Sequence, residues 1–196
     1  MLEQTGVENE LEEEIEKIKN ILNEALASKY IDEKFRGKIS TSPYTTSSDI
    51  SADMMFGMCG TLVSCIQIAS ADKNVNFDKS TSPREDTSGH AYLTTELRDG
   101  SELIIDPTIG QFIKGFNHVF IGTRKELQDL VVNQTGEGKK YQIINTRSRN
   151  SPEEAFLRIW GDKRHPLGTQ MSNAEHRQSI LREKQIVDRQ SSSNQF

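Results

Sequence analysis

The stretch that most constrains this chain is a pair of short apolar runs, His90–Leu97 (HAYLTTEL) and Glu102–Asp106 (ELIID), around Arg98-Asp99-Gly100. A three-residue hairpin loop with glycine at its left-handed third position is a favoured connection. It sets Leu97 opposite Ser101, Thr95 opposite Leu103 and Leu93 opposite Ile105, so all the large aliphatics except Ile104 share one face. A two-residue Asp-Gly loop would set Leu97 against Glu102 and Glu96 against Leu103. That register turns charge into the core, since a one-residue slip sends every side chain to the other face.

In the three-residue register His90 and Asp106 both lie at the open end of the hairpin. Asp106 faces Tyr92, and His90 is its diagonal neighbour on the same face. Diagonal pairs are roughly 7–8 Å apart at the backbone, within reach of an imidazole and a carboxylate. A carboxylate there fixes the imidazole tautomer and stabilises the imidazolium, the orienting role in a nucleophile–base–acid triad.

The nucleophile comes from the most apolar stretch, residues 54–71 (MMFGMCGTLVSCIQIASA). Leu62, Val63, Ile66 and Ala69 form one helical face, and Gly57 and Gly60 flank Cys59, so a helix is expected to begin near Cys59. A thiol at a helix N-terminus meets the positive end of the dipole and backbone N–H donors, which lower its pKa. A neighbouring His90 lowers it further through a thiolate–imidazolium pair. The glycines leave room for a substrate carbonyl beside the sulfur. Cys65 lies about 240° further round the helix and roughly 9 Å along it, beside Leu62 and Ala69 on the buried side, and reads as a small core residue. A Cys59–Cys65 disulfide exceeds the bridging distance unless the first helical turn unwinds.

The segments GMCGTLVSC, GHAYLTTEL and IIDPTIGQF resemble the three signature blocks of transglutaminase-like and papain-like cysteine hydrolases, in the order Cys, His, Asp. The likeness is greatest to bacterial toxin and effector enzymes that deamidate glutamine in host proteins, where an Asp-Pro-Thr run is followed by a Gln-Phe that helps bind the oxyanion. Gln111-Phe112 matches that position. The resemblance spans roughly residues 54–122. Gly60 follows the cysteine where these families commonly have Trp, and Tyr92 stands where Trp is frequent. It implies a papain-like or transglutaminase-like α+β domain, with the cysteine on a helix N-terminus packed against an antiparallel sheet that carries His and Asp. The implied site is Cys59, His90 and Asp106, with Gln111 and Gly60 at the oxyanion and substrate. The implied activity is cysteine-dependent acyl transfer on a protein glutamine. Peptidase or transglutaminase chemistry on the same fold, or a non-catalytic protein-binding module, are the alternatives.

Several classes fall away. The 196 residues carry 24 Lys+Arg against 29 Asp+Glu, a net charge of −5, which argues against a nucleic-acid surface. No apolar run approaches the length of a transmembrane helix. Two cysteines make neither a disulfide framework nor a Cys-rich zinc site. His90, His118, His165 and His176 show no HExxH or His-x-His spacing, and glycine-rich phosphate loops are absent. No metal or organic cofactor is expected, and the partner expected is a protein substrate met by a monomer. The acidic start (MLEQTGVENELEEEIEK) is unlike a cleaved signal peptide. The expected location is the cytoplasm, or a host or target cell reached without such a signal.

Elsewhere, Leu11, Ile15, Ile18, Leu22, Ala25 and Leu26 mark an amphipathic helix over 10–29. Residues 38–53 and 72–89 read as polar connections, and 116–122 as a third strand. Thr123 starts a capped short helix. Tyr141–Thr146 reads as a short strand, and Ser151-Pro152-Glu153-Glu154 starts a helix running to about Trp160. Asn173–Arg189 reads as a polar helix with a thin stripe of Ile180, Leu181, Ile186 and Val187. The expected organisation is a disordered 1–9, a hydrolase domain over 10–160, a loop and helix over 161–189 packed on or beside it, and a disordered tail over 190–196.

Overall fold

A computed structural model describes residues 2–33, 35–36, 38–39, 41–42, 57–82, 90–144, 151–161 and 173–193. Four strands form one antiparallel sheet in the order β1-β2-β3-β5: β1 (Asp78–Thr81), β2 (Ala91–Glu96), β3 (Glu102–Asp106) and β5 (Phe120–Thr123). Two short strands, β4 (Ile113–Lys114) and β6 (Gln142–Ile143), pair separately. The helices are α1 (Leu2–Leu26), α2 (Cys59–Ser70), α3 (Arg124–Asn133), α4 (Pro152–Trp160) and α5 (Asn173–Ser193). Mixed helix and antiparallel sheet make this an α+β fold.

The β2–β3 hairpin has the register that burial requires, with Leu93 opposite Ile105 and Thr95 opposite Leu103. Leu97 N–H donates to the Ser101 carbonyl at 2.9 Å, and Gly100 takes the positive φ of 81° that the loop demands. The sheet, however, is covered on both sides. Leu93, Leu97, Leu103 and Ile105 join a core with α1 and α2, whereas Tyr92, Ile104 and Phe120 join a second core with α3 and α4. Ile104, the exception to the one-faced pattern, is fully buried in that second core.

Some elements differ from the sequence expectation. Strand β1 lies within a segment expected to be a connection. Its Asp-Lys-Ser-Thr has no apolar residue to alternate, as suits an edge strand exposed at every second position. Of the expected strand over 116–122 only the part from Phe120 pairs, because Gly115 at φ 91° turns the chain first. Helix α1 begins at Leu2 rather than at residue 10, since once its buried second half has nucleated the helix each further residue fixed gains one backbone hydrogen bond. Helix α5 runs on to Ser193, through the first part of the tail expected to be disordered, and Ile186 on it faces solvent. The expected loops over 43–53 and 162–172 lie outside the described residues, as does the strand reading beyond Ile144.

Helices α3 and α4 each begin with a complete capping box, Thr123 with Glu126 and Ser151 with Glu154, and α4 has Pro152 at its start. Two cores require that both Ile105→Ala and Ile104→Ala destabilise the protein by about 2–5 kcal/mol. Urea unfolding measures this, and a near-neutral Ile104→Ala would show the second face to be open.

Candidate active site

The hairpin register brings His90 and Asp106 together. His90 Nε2 lies 2.7 Å from Asp106 Oδ2, with the imidazole 2% and the carboxylate 0% exposed. A buried carboxylate is costly unless its lone pairs are used, and Asp106 has donors on both oxygens. Oδ1 accepts the Thr108 N–H at 2.9 Å and the Thr108 hydroxyl at 3.3 Å. Oδ2 accepts the Trp160 indole N–H at 2.8 Å beside the His90 contact. Asp106 is thus both the turn-capping residue that its place before Pro107 favours and the partner of the histidine.

His90 sits in an aromatic box. Its ring stacks over Tyr92 at 6.0 Å, and meets the edges of Phe112 at 4.7 Å and Trp160 at 6.0 Å. The other ring nitrogen, Nδ1, is 3.0 Å from the Gln111 amide nitrogen, which also donates to Thr108 Oγ1 at 3.1 Å. When the imidazole is neutral the network favours Nε2–H donating to Asp106 and Nδ1 accepting from Gln111; when it is protonated both ring nitrogens donate and Nδ1 cannot accept from Gln111.

Cys59 is the first residue of α2, and the chain enters the helix through Gly57 at φ 77°. Met58 at the N-cap offers no side-chain hydrogen bond and the first turn has no acid, so no side chain neutralises the positive end of the helix beside the sulfur, and the Gly60 N–H donates to it. Burial works against the thiolate. It is outweighed by a hydrogen bond and charge attraction from His90 and by the Ala91 and Gly60 N–H groups, so the thiol lies below its ordinary range. For His90, too, burial acts first and would lower the pKa. The Asp106 charge and hydrogen bond, with Cys59, overturn that and raise it to about 9. The two shifts describe one thiolate–imidazolium pair backed by a carboxylate.

All the residues expected at the site lie here, though in different relations. Cys59, His90 and Asp106 form a chain, and Gln111 is on the histidine. Gly60 supplies an N–H to the sulfur, and among the described residues a Cβ there would meet nothing within 4 Å, which leaves open space beside Cys59. Cys59 is more buried than Cys65, which is only half-buried and whose thiol burial and Asp32 push up. Neither is in a disulfide. Two residues were missed, Thr108 and Trp160. Thr108, two residues after Asp106, carried a turn signal; Trp160, 54 positions away, carried none.

Among the described residues no group of three His, Cys, Asp or Glu is placed to hold a metal, and no helix is long and apolar enough to cross a membrane. His118 stacks on Phe116, while His165 lies outside the described residues.

At pH 6 the opposite shifts of the two thiols require iodoacetamide to alkylate Cys59 much faster than Cys65, as read by peptide mass mapping. Equal, slow labelling would contradict the ion pair. Compared with protein-family models, curated proteins and solved structures, the chain matches none.

Proposed function

We propose that this chain is a cysteine-dependent acyl-transfer hydrolase of the papain-like and transglutaminase-like type, acting as a protein-glutamine deamidase. One observation carries the proposal: a single buried imidazole engages the Asp106 carboxylate at 2.7 Å and the thiol of a helix-terminal Cys59 at once. A structural histidine has no need of both. The deamidase reading also draws on the resemblance of the Asp-Pro-Thr…Gln-Phe block, and with it goes action inside a host or competitor cell as a bacterial effector or toxin.

In this reading the Cys59 thiolate attacks the carboxamide carbon of a glutamine side chain. The negative oxygen is stabilised by backbone N–H groups at the start of α2. His90 gives its Nδ1 proton to the departing ammonia as the C–N bond breaks, leaving a thioester. It then takes a proton from water, which attacks the thioester, releases glutamate and restores the thiolate–imidazolium pair. Asp106 holds the imidazole through Nε2 at every step. Gln111 fits the same cycle: once Nδ1 carries a proton, the Gln111 N–H must turn to another acceptor, and the oxyanion is the one the reaction creates beside it.

The intact mass of candidate target proteins tests the activity. Replacing NH2 by OH through the thioester adds about one dalton without cleavage. Fragments would instead mark a peptidase and cross-linked adducts a transglutaminase, while no change in any target together with an unreactive Cys59 would mark a binding module. Cys59→Ala is expected to abolish the mass change, and Asp106→Ala to slow it by roughly 10²–10⁴-fold. Turnover should rise through the lowered Cys59 pKa and fall as His90 gives up its proton near 9, since the leaving ammonia then has no acid. A rate that stays flat through that upper range would contradict His90 as the acid.

A further inference from the structure

Trp160 holds the catalytic carboxylate, yet it belongs to the last turn of α4, an element remote in sequence from the hairpin. What holds Trp160 is Arg124. One arm of its guanidinium donates to the Trp160 backbone carbonyl, and the other donates to Glu102 Oε2 on β3 at 2.9 Å. The same guanidinium lies near enough to Tyr92, the residue whose ring lies under His90, for its charge to act on the phenol. Arg124 is itself fixed, as the first residue of α3 behind the Thr123–Glu126 capping box. Just past Trp160 the chain is equally confined, because a Cβ on Gly161 would fall 2.1 Å from the Leu157 carbonyl oxygen.

From this geometry we infer that Arg124 is a positioning residue for the active site, which aims the Trp160 indole N–H at Asp106. The inference rests on the thiolate–imidazolium reading above and adds to it a remote control of that pair. Arginine suits the task and lysine does not. Only a planar fork serves a carbonyl and a carboxylate at once at fixed angles, whereas an ammonium on a flexible stem does not hold both in that geometry.

The effect on the pair has a definite sign. Asp106 Oδ2 shares its charge between His90 and Trp160. Withdrawing the indole N–H leaves that oxygen to His90, so the imidazolium is supported more strongly and the Cys59 thiolate forms at lower pH. Among the described residues, the charged and titratable groups around this assembly are Cys59 on α2, Asp106 and Glu102 on β3, Tyr92 on β2 and Arg124 on α3. Arg124→Lys keeps the charge of the last and changes only its geometry.

The test is the pH profile of Cys59 alkylation by iodoacetamide in the full chain, for wild type, Trp160→Phe, Arg124→Lys and the double variant. Trp160→Phe keeps an aromatic side chain in the wall and removes the indole donor together with part of the buried ring. It should raise labelling on the acid limb by about ten-fold, the effect of one hydrogen bond to a charged group. Arg124→Lys should move the limb the same way, and the double variant no further than Trp160→Phe, because residues acting through one contact are not additive. An unmoved Arg124→Lys profile, or a double variant that shifts by the product of the two, overturns the inference, since a merely structural arginine changes the melting temperature and leaves the profile in place. If Arg124→Lys does not fold, Arg124→Gln reads the same limb; it also removes a charge, so its additivity with Trp160→Phe decides. A wild-type profile without any acid-shifted limb would overturn the functional reading and this inference together. A normal wild type with an unmoved variant would overturn the inference alone.

Discussion

The His90–Asp106 pair is the contact around which the rest of the molecule is arranged. It joins two ionisable groups with almost no exposure to water. Such a pair is favourable only when every remaining lone pair and proton is used, for desolvation otherwise exceeds the attraction. The fold meets that demand from several directions at once. Strand β3 supplies Asp106, the turn after it supplies Thr108, and helix α4 supplies Trp160. The 3-10 turn Ile109–Gln111 brings Gln111 to the free side of the imidazole.

The double-sided sheet is what makes this enclosure possible. One core, with α1 and α2, fixes the helix whose first residue is Cys59. The other, with α3 and α4, carries the aromatic groups that enclose His90. Cys59, held by one layer, and the aromatic groups of the other, which enclose His90 on the sheet, thus meet at the end of the hairpin. Loss of either layer would leave a charged group buried without its partner, which is more damaging than the loss of a comparable apolar contact.

Local signals made much of this legible from the residues. The hairpin register followed from the rule that aliphatics, not charges, turn inward. The start of α2 at Cys59 and the caps of α3 and α4 followed from short-range chemistry at helix ends. What stayed hidden has no local signature. Strand β1 is made of polar residues at an edge and shows no alternation. The burial of Ile104 depends on helices that arrive later in the chain. The bond from Trp160 to Asp106 depends on tertiary packing, and so does the grip of Arg124 on the Trp160 carbonyl. Gln111 was picked out by resemblance as an oxyanion donor, but its place on His90 Nδ1 depends on the compact turn after Pro107, which no periodicity reveals.

The triad requires His90 to be an imidazolium at neutral pH, held so by Asp106 and the Cys59 sulfur. Titration of its ring protons or nitrogens by NMR measures this directly. The protonated signature should persist through neutrality and disappear only near pH 9, and in Cys59→Ala it should disappear at lower pH. A ring that is already neutral at pH 7 in the wild-type protein, or whose titration ignores the loss of the sulfur, would contradict the account.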